Sequence, residues 1–349
     1  MTEVVAQTIE STAHIAQEVH SLGSPLLYTI FAIVVAVMIL IDMFALKASG
    51  DHRVSVKEAL IWTLIWITVA LLFMAGIWGY IRYMLPPEIL IPSEFATTSE
   101  YATSKALEFL TGYIVEKSLS IDNIFIFLLI FSFFKVPNIY QRRVLVYGVL
   151  AAVFLRVVMV LIGSFLISKF EWILYVFGAF LLFTGIKMCF GHDDEADLSE
   201  NKIVKWTKKF VKTTDEYQKE HFFIVKEGVR YATPLFIVLV LITISDIIFA
   251  VDSVPAVFSI TADPFIVMTS NVFAILGLRA MYFLLADMAE RFHLLQYGLA
   301  IILIFIGIKM LVLYFDYHFP ITISLTIILG TLVGSIILSL MIPPKKRSS

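Results

Sequence analysis

Two apolar stretches carry acidic residues at matching positions: EKSLSIDNIFIFLLIF (residues 116–131) and ISDIIFAVDSVPAVF (residues 244–258). The first contains Glu116 and Asp122, the second contains Asp246 and Asp252, and each pair is spaced by six residues. A charged side chain at the centre of a membrane helix costs about 2.5–3.5 kcal/mol on insertion scales, so such residues commonly mark ion paths. The duplicated acids therefore predict a membrane protein that handles cations.

The composition supports this class of protein. Of the 349 residues, 60% are hydrophobic and 15% are charged, whereas soluble proteins carry about 25% charged residues. The apolar residues form blocks of about twenty, which is the length of a helix that crosses a bilayer. We predict an all-α polytopic fold with about nine transmembrane helices, at residues 26–46, 58–81, 106–134, 144–167, 171–190, 234–258, 264–286, 294–315 and 321–342.

Lysine and arginine favour alternate connections between these spans, among them residues 47–57, 135–143 and 191–233 and the C-terminal Lys345-Lys346-Arg347. The positive-inside rule then predicts an N-terminus outside and a C-terminus inside. The predicted organisation is a polar extracytoplasmic tail (1–25), two transmembrane helices with an outer loop (26–103), a first repeat of three helices (104–190), a cytoplasmic loop (191–233), a second repeat of three helices (234–318), and a last helix with a basic cytoplasmic end (319–349).

The repeat is visible in paired segments. GVLAAVFLR (148–156) is similar to NVFAILGLR (271–279), and FGAFLLFTGIKM (177–188) is similar to LAIILIFIGIKM (299–310). In each half the acid pair comes first, followed by a span that contains an arginine and then by a span that ends in GIKM. Because each half has three spans, the second half must enter the membrane from the opposite side. This predicts an inverted 3+3 repeat, an arrangement found in many secondary transporters.

Helix geometry argues against each acid pair binding one ion by itself. Six residues along a helix correspond to about 9 Å of rise and about 120° of rotation from a shared face. Under inversion, Asp122 and Asp252 can meet near the centre, with Glu116 and Asp246 displaced to opposite sides. We therefore expect the two aspartates to form a central site and the other two acids to line its approaches.

The ligand types favour a hard cation. Carboxylates with Asn123, and with Asn271 as a weaker candidate, provide the oxygen ligands that suit Mg²⁺, Ca²⁺ and Mn²⁺. Arg156 and Arg279 lie within predicted spans and are candidates to balance the acidic charge, and Asp42 is a weaker candidate ligand. The chain has one cysteine, Cys189, so it can form neither an intrachain disulfide nor a metal site with several thiolates.

The segments EKSLSIDNIFIF, SDIIFAVDSVPAVF and NVFAILGLRAMYF resemble the signature segments of the TerC family, which is named for tellurium resistance and belongs to the LysE-type transporter superfamily. The resemblance covers residues 26–342. It implies a protein of the bacterial cytoplasmic (inner) membrane and, for the characterised branch, Mn²⁺ efflux. Carried over by position, it implies an ion path that includes Glu116, Asp122, Asp246 and Asp252, with Asn123 beside Asp122.

We therefore expect a Mn²⁺ exporter that works by alternating access, with protons as the coupling ion and no permanently bound cofactor. Ca²⁺ or broad divalent-cation transport is an alternative, and so is a membrane scaffold that helps to metallate exported proteins. Partners are expected to be the transported cation and membrane lipid, with a homo-oligomer or contact with secretion machinery also considered. We find no nucleophile–base arrangement, phosphate loop or HExxH motif, and we expect neither enzymatic activity nor nucleic-acid binding.

Overall fold

The computed structural model describes residues 21–48, 55–85, 91, 95–170, 172–190, 213–214, 217, 220–226, 228–286, 294–315, 317 and 319–342. The predicted tail up to residue 20, residues 191–212 of the predicted loop, and the basic end at 343–349 lie outside this part. Within it, the helices are α1 (Pro25–Ala48), α2 (Val56–Met84), α3 (Thr98–Phe133), α4 (Asn138–Lys169), α5 (Ile173–Phe190), α6 (Pro234–Phe258), α7 (Pro264–Leu276), α8 (Leu278–Ala286), α9 (Leu295–Val312) and α10 (Ile321–Met341).

The centre of the fold consists of α3, α4, α6 and α7. Helix α3 packs against α6 and α7, and α4 packs against the same two helices. Aromatic side chains fill part of this core, where the ring of Phe73 from α2 lies 4.7 Å from that of Phe273 and 5.8 Å from that of Phe109. The arrangement encloses any polar side chain that points inward from these four helices.

Six of the described helices are long and apolar enough to cross a membrane: α1, α2, α4, α6, α9 and α10. Helices α7 and α8 together form a seventh candidate that is bent by 42°. Helix α3 has 36 residues, or about 54 Å, but Glu116, Lys117 and Asp122 make it less apolar than an ordinary span. Helix α5 is apolar and short. Nine spans thus remain a prediction, although a helix or a bent helix pair occupies every predicted segment.

The bend between α7 and α8 occurs at Gly277, within a segment that was predicted to be one span. Lys117 of α3 donates from Nζ to the carbonyl oxygen of Ala274 at 3.0 Å, in the last turn before the bend. A Cβ atom on Gly277 would lie 2.6 Å from this Nζ. The missing side chain at Gly277 therefore leaves room for the lysine at the helix break. By contrast, α6 continues through Pro255 to Phe258.

Helices α5 and α9 approach each other at glycines and run antiparallel. A Cβ on Gly178 would lie 3.1 Å from the carbonyl oxygen of Gly307, and a Cβ on Gly185 would lie 2.8 Å from that of Ala300. The contact moves from residue 307 to residue 300 as α5 advances from 178 to 185, which defines the opposite directions. Small residues allow this backbone proximity, as they commonly do between membrane helices.

The predicted all-α fold needs one addition, because the connection before α6 contains a β-hairpin. Strands β1 (Phe223–Lys226) and β2 (Val229–Ala232) pair antiparallel, and Gly228 adopts a φ of 76° in the turn. Nearby, the Tyr217 hydroxyl donates to the carbonyl of Phe134 at 2.6 Å. Burial raises the pKa of Tyr217 to about 12, which further favours the protonated hydroxyl that makes this bond. This contact ties the connection to the end of α3.

Candidate functional site

A buried ion pair lies where the four central helices meet. Arg156 of α4 places Nη1 2.9 Å from Glu116 Oε1 of α3. The exposed fractions of the two side chains are 1% and 0%. The same guanidinium donates to the hydroxyl of Ser253 on α6 and to Asn271 Oδ1 on α7, the latter at 2.9 Å. All four central helices therefore contribute to the surroundings of Arg156.

Neighbouring groups fix the orientation of this pair. Asn271 donates from Nδ2 to the carbonyl of Val267 at 2.8 Å, which leaves its Oδ1 free to accept from Arg156. The Ser253 hydroxyl accepts from Arg156 and interacts with the Glu116 carboxylate. Breaking one member of a buried ion pair commonly costs 3–5 kcal/mol because it leaves the other charge uncompensated. These bonds therefore make Arg156 a structural requirement of the site as well as a charge within it.

A second acid lies close to the pair. Asp246 of α6 has an exposed fraction of 2%, and its Oδ1 accepts from Nδ2 of Asn123 on α3 at 3.4 Å. Asp246 also interacts electrostatically with Arg156 and with Glu116. Two carboxylates, one from each half of the chain, thus interact electrostatically with the same arginine.

The contacts between α3 and α6 define their register. Glu116 meets Ser253, and Asn123 meets Asp246, so an advance of seven residues on α3 matches a retreat of seven on α6. The helices are therefore antiparallel. With about 1.5 Å of rise per residue, this register places Asp252 near the level of Glu116. It places the backbone of Asp122 near the level of Asp246.

The sequence did not predict that two of the acids would share one arginine. The sequence predicted Asp122 and Asp252 at the centre and Glu116 and Asp246 on opposite approaches, but the structure brings Glu116 and Asp246 to the same arginine. Asp252 is half-buried and interacts with the hydroxyl of Thr184 on α5. The side chain of Asp122 lies outside the described part of the structure, so its meeting with Asp252 stays a prediction. The difference arises because spacing along a helix does not give the register between two helices.

The two predicted charge-balancing arginines have different partners. Arg156 pairs with one of the four predicted acids, as described above. Arg279 of α8 instead places Nη2 2.5 Å from Asp42 Oδ1 of α1 and donates from Nη1 to the Asp42 carbonyl at 3.3 Å. Asp42, a weaker candidate ligand in the sequence, is therefore used as the counter-ion of Arg279. Asn271, the other weaker candidate, is bonded to Arg156.

The site contains buried oxygens without hydrogen-bond partners. Glu116 Oε2, Asn123 Oδ1 and Asp246 Oδ2 are shielded from solvent, and none has a hydrogen-bond partner among the described residues. Buried acceptors are normally bonded, because an unmade bond costs about 1–3 kcal/mol. Carboxylate and amide oxygens are ligands for hard cations. Because Glu116 and Asn123 are about 10 Å apart along α3, these oxygens could bind cations in turn, Asn123 and Asp246 at one level and Glu116 at another.

The described residues contain no cluster of three or more His, Cys, Asp or Glu side chains that could hold a metal ion. A cation bound by the described residues would accordingly have fewer than three of these side chains as ligands, completed by neutral oxygens. Sequence reasoning also missed Lys117, whose position beside Glu116 in an apolar run was a usable signal. Ser253 was missed as a partner of the ion pair, and no local pattern in the sequence identifies it as one.

Long apolar helices around a buried cluster of acids and an arginine define a polytopic α-helical membrane protein. The chain belongs to the TerC family: residues 101–347 match the model described as "Integral membrane protein TerC family". This confirms the family that the acidic segments indicated. No solved structure matches the chain.

The chain is similar to relatives that carry two different names. A protein of Escherichia coli (strain K12) named "Putative membrane-bound redox modulator Alx" is 52% identical over 320 residues, which cover 92% of this chain and 96% of that protein. A thylakoid membrane protein of Arabidopsis thaliana, TERC, is 44% identical over 236 residues, covering 68% of this chain and 62% of that protein. The similarity to Alx therefore extends over nearly the whole of both chains.

Proposed function

We propose that this protein exports divalent cations across the bacterial cytoplasmic membrane, with Mn²⁺ as the main substrate. One observation carries the proposal: Glu116, Asn123 and Asp246 each direct a buried oxygen that has no hydrogen-bond partner among the described residues. Acidic side chains within membrane helices are costly and are typical of ion paths. The hard oxygen donors suit Mn²⁺, Mg²⁺ and Ca²⁺. The preference for Mn²⁺ among them rests on the family resemblance.

The transport mechanism that we propose is alternating access by an inverted repeat of three helices in each half. Reciprocal contacts support the inversion. When the acid segments are aligned, Glu116 corresponds to Asp246 and Asn123 corresponds to Ser253. The contact of Glu116 with Ser253 therefore has the contact of Asp246 with Asn123 as its counterpart. Such reciprocity is expected when two similar units face each other across a twofold axis.

Helices α5 and α9 show the same reciprocity. In the GIKM segments, Gly178 corresponds to Ala300 and Gly185 corresponds to Gly307. The observed neighbours are Gly178 with Gly307 and Gly185 with Ala300, so each contact is the counterpart of the other. The proposed axis therefore relates the peripheral helix pair as well as the central one. Under this proposal α3 and α5 complete the nine spans, with the cation path at the interface between halves.

The charges of the site support coupling to protons. Glu116 and Asp246 carry two negative charges when ionised, and Arg156 compensates one of them through its contacts. The remaining acidic groups can hold either a divalent cation or protons. A carboxylate that exchanges one for the other links outward cation movement to inward proton movement. Asp122 and Asp252 remain in the proposed path, with Asp252 near the level of Glu116 and the backbone of Asp122 near the level of Asp246.

Flux measurements in liposomes test the function. Purified protein is reconstituted, and Mn²⁺, Ca²⁺ and Zn²⁺ uptake is followed with and without a pH gradient. We expect Mn²⁺ flux that responds to the gradient and falls about tenfold or more in Glu116→Gln and Asp246→Asn, the equivalent of about 1.4 kcal/mol or more. Asp122→Ala and Asp252→Ala are expected to reduce flux as well.

Glu220→Gln is the matched control, because Glu220 pairs with Arg143 at 3.3 Å in the partly exposed connection before α6. This variant should keep wild-type flux. Equal movement of Ca²⁺ and Mn²⁺ would indicate a broad divalent-cation transporter. If the wild type moves no cation while other proteins co-purify in fixed proportion, the export proposal is wrong and a scaffold or metallation role is favoured.

The name of the Alx relatives refers to redox modulation. This chain has a single cysteine, Cys189, so a dithiol–disulfide exchange within one chain is not available to it. Under the export proposal, Cys189→Ser should transport Mn²⁺ as the wild type does. A loss of flux in this variant would connect the thiol to the activity.

A further inference from the structure

One face of α3 carries a continuous polar stripe, formed by Tyr113, Glu116, Ser120 and Asn123. The spacings of three, four and three residues place these side chains on the same side of the helix. Their exposed fractions are 5%, 0%, 1% and 2%. From residue 113 to residue 123 the helix rises about 15 Å. The polar face thus continues for a further turn beyond the Glu116–Arg156 pair, toward the N-terminal end of α3.

Each side chain of the stripe has a buried oxygen with no hydrogen-bond partner among the described residues, namely Tyr113 Oη, Glu116 Oε2, Ser120 Oγ and Asn123 Oδ1. Other hydroxyls of α3 are bonded: Thr111 donates to the carbonyl of Leu107 at 2.7 Å, and Ser118 donates to that of Ile114 at 2.6 Å. The unbonded oxygens therefore distinguish one face of the helix and are not a general property of α3.

The facing side of α6 carries a small side chain and further polar groups. Asp246, Ala250 and Ser253 are buried and follow one another at spacings of four and three residues. The register places Ser253 beside Glu116 and Asp246 beside Asn123. Ala250 then lies within one residue of the level of Ser120. A small side chain therefore stands opposite the middle of the stripe.

Aromatic residues lie at both ends of the stripe. Phe109, one turn before Tyr113, stacks on the tyrosine ring with a centroid distance of 6.4 Å and an interplanar angle of 8°. Phe127, one turn after Asn123, has an exposed fraction of 3%. The polar face is thus bounded by buried aromatic rings at its two ends.

We propose that Tyr113 and Ser120 are two further oxygen stations on the cation path, with Ser120 between Glu116 and Asn123 and Tyr113 one turn closer to the start of α3. This inference rests on the proposed export function. A dehydrated cation needs oxygens to replace its water ligands, and rapid passage requires sites that bind weakly enough to release it. Neutral hydroxyls next to carboxylates along the path meet both requirements.

Removal of each hydroxyl tests the proposal in the liposome assay. Tyr113→Phe and Ser120→Ala should lower Mn²⁺ flux about three- to tenfold, as expected for the loss of one polar contact. Their unfolding temperatures should not fall, because neither hydroxyl makes a hydrogen bond with a described residue. The matched controls are Ser118→Ala and Tyr282→Phe, whose hydroxyls bond to Ile114 and Gln141. Both controls should keep flux within about twofold of the wild type when normalised to folded protein.

A change of selectivity provides a second test. Thiolate ligands favour Zn²⁺ over hard cations such as Mn²⁺. Ser120→Cys should therefore raise Zn²⁺ flux relative to Mn²⁺ flux, whereas Ser118→Cys on the same helix should leave this ratio unchanged. A purely structural role of Ser120 would not change the ratio.

The outcomes separate this inference from the export proposal. Suppose that the wild type transports Mn²⁺, that Tyr113→Phe and Ser120→Ala keep the wild-type flux, and that Ser120→Cys keeps the wild-type selectivity. The two proposed oxygen stations are then wrong, and the export function stands. If the wild type transports no cation, the export function is wrong and the stations are rejected with it. A fall in unfolding temperature without a fall in flux per folded protein would also overturn the stations.

Discussion

Arg156 and Arg279 end two similar segments, GVLAAVFLR and NVFAILGLR, yet they have different partners. Arg156 lies among α3, α6 and α7 and bonds to side chains from both halves of the chain. Arg279 bonds to Asp42 of α1, which precedes both halves. The similarity of the two segments therefore does not give their arginines the same partners.

The counterpart positions explain part of this difference. When the two segments are aligned, Asn271 corresponds to Gly148. Asn271 accepts a hydrogen bond from Arg156, whereas Gly148 has no side chain to offer Arg279. The first arginine therefore has an amide acceptor across the interface between halves, and the second does not. The carboxylate partner of Arg279 is Asp42, which comes from α1, a helix outside both halves.

Replacement of Arg156 should have the largest effect. Arg156→Gln leaves Glu116 buried without its counter-ion, so we expect the free energy of unfolding to fall by about 3–5 kcal/mol. Thermal or denaturant unfolding in detergent would measure this loss. Adding Glu116→Gln in the same chain should recover much of the stability without recovering Mn²⁺ flux. A single variant as stable as the wild type would contradict the assigned ion pair.

Replacement of Arg279 should have a smaller effect on stability and little effect on transport. The side chains of Arg279 and Asp42 are 10% and 11% exposed, against 1% and 0% for Arg156 and Glu116, so we expect Arg279→Gln to cost about 1.5–3 kcal/mol. Mn²⁺ flux normalised to folded protein should remain near that of the wild type, because Arg279 pairs outside the acid cluster. If Arg279→Gln reduced this flux as much as Asp246→Asn, the proposed division between the two arginines would be wrong.

Gly185 of α5 and Gly307 of α9 are counterparts in the repeat. Unlike the two arginines, these glycines should respond alike to substitution. Gly185→Ala and Gly307→Ala each bring a Cβ within 2.8 Å or less of backbone atoms on the partner helix. Overpacking of this kind typically costs about 1–3 kcal/mol. Gly330→Ala is the control, since no atom lies within 4 Å of the Cβ position there. Unequal effects at Gly185 and Gly307, measured by thermal unfolding, would argue against the reciprocal packing.

The helical segments were predictable because apolar blocks of membrane length have few alternatives to helix. The duplicated acids, and both arginines as partners of acids, were likewise visible in the sequence. The pairing of the acids was not, because it depends on the α3–α6 register. That register follows from how Ser253 and Asn123 meet Glu116 and Asp246 across the interface, and no spacing within one helix contains this information.

The break at Gly277 was also outside the reach of local pattern. NVFAILGLR is apolar on both sides of the glycine, and one continuous span was the simplest interpretation. In the structure the bend coincides with Lys117, a residue from a distant part of the chain that donates to Ala274. Similarly, the hairpin before α6 lies in a polar connection where hydropathy favours no particular structure.

The smallest effect is expected at Gly148, the counterpart of Asn271. A Cβ at Gly148 would lie 3.2 Å from Ile242 Cγ2, so Ile242 would have to shift by a few tenths of an ångström, while alanine is favoured over glycine in a helix by about 1 kcal/mol. These contributions nearly cancel, so Gly148→Ala should change the free energy of unfolding by less than about 0.5 kcal/mol. Asn271→Ala, in contrast, removes the acceptor that Arg156 uses and should lower both stability and Mn²⁺ flux. Equal effects of the two substitutions would mean that the amide at Asn271 contributes nothing that its counterpart lacks.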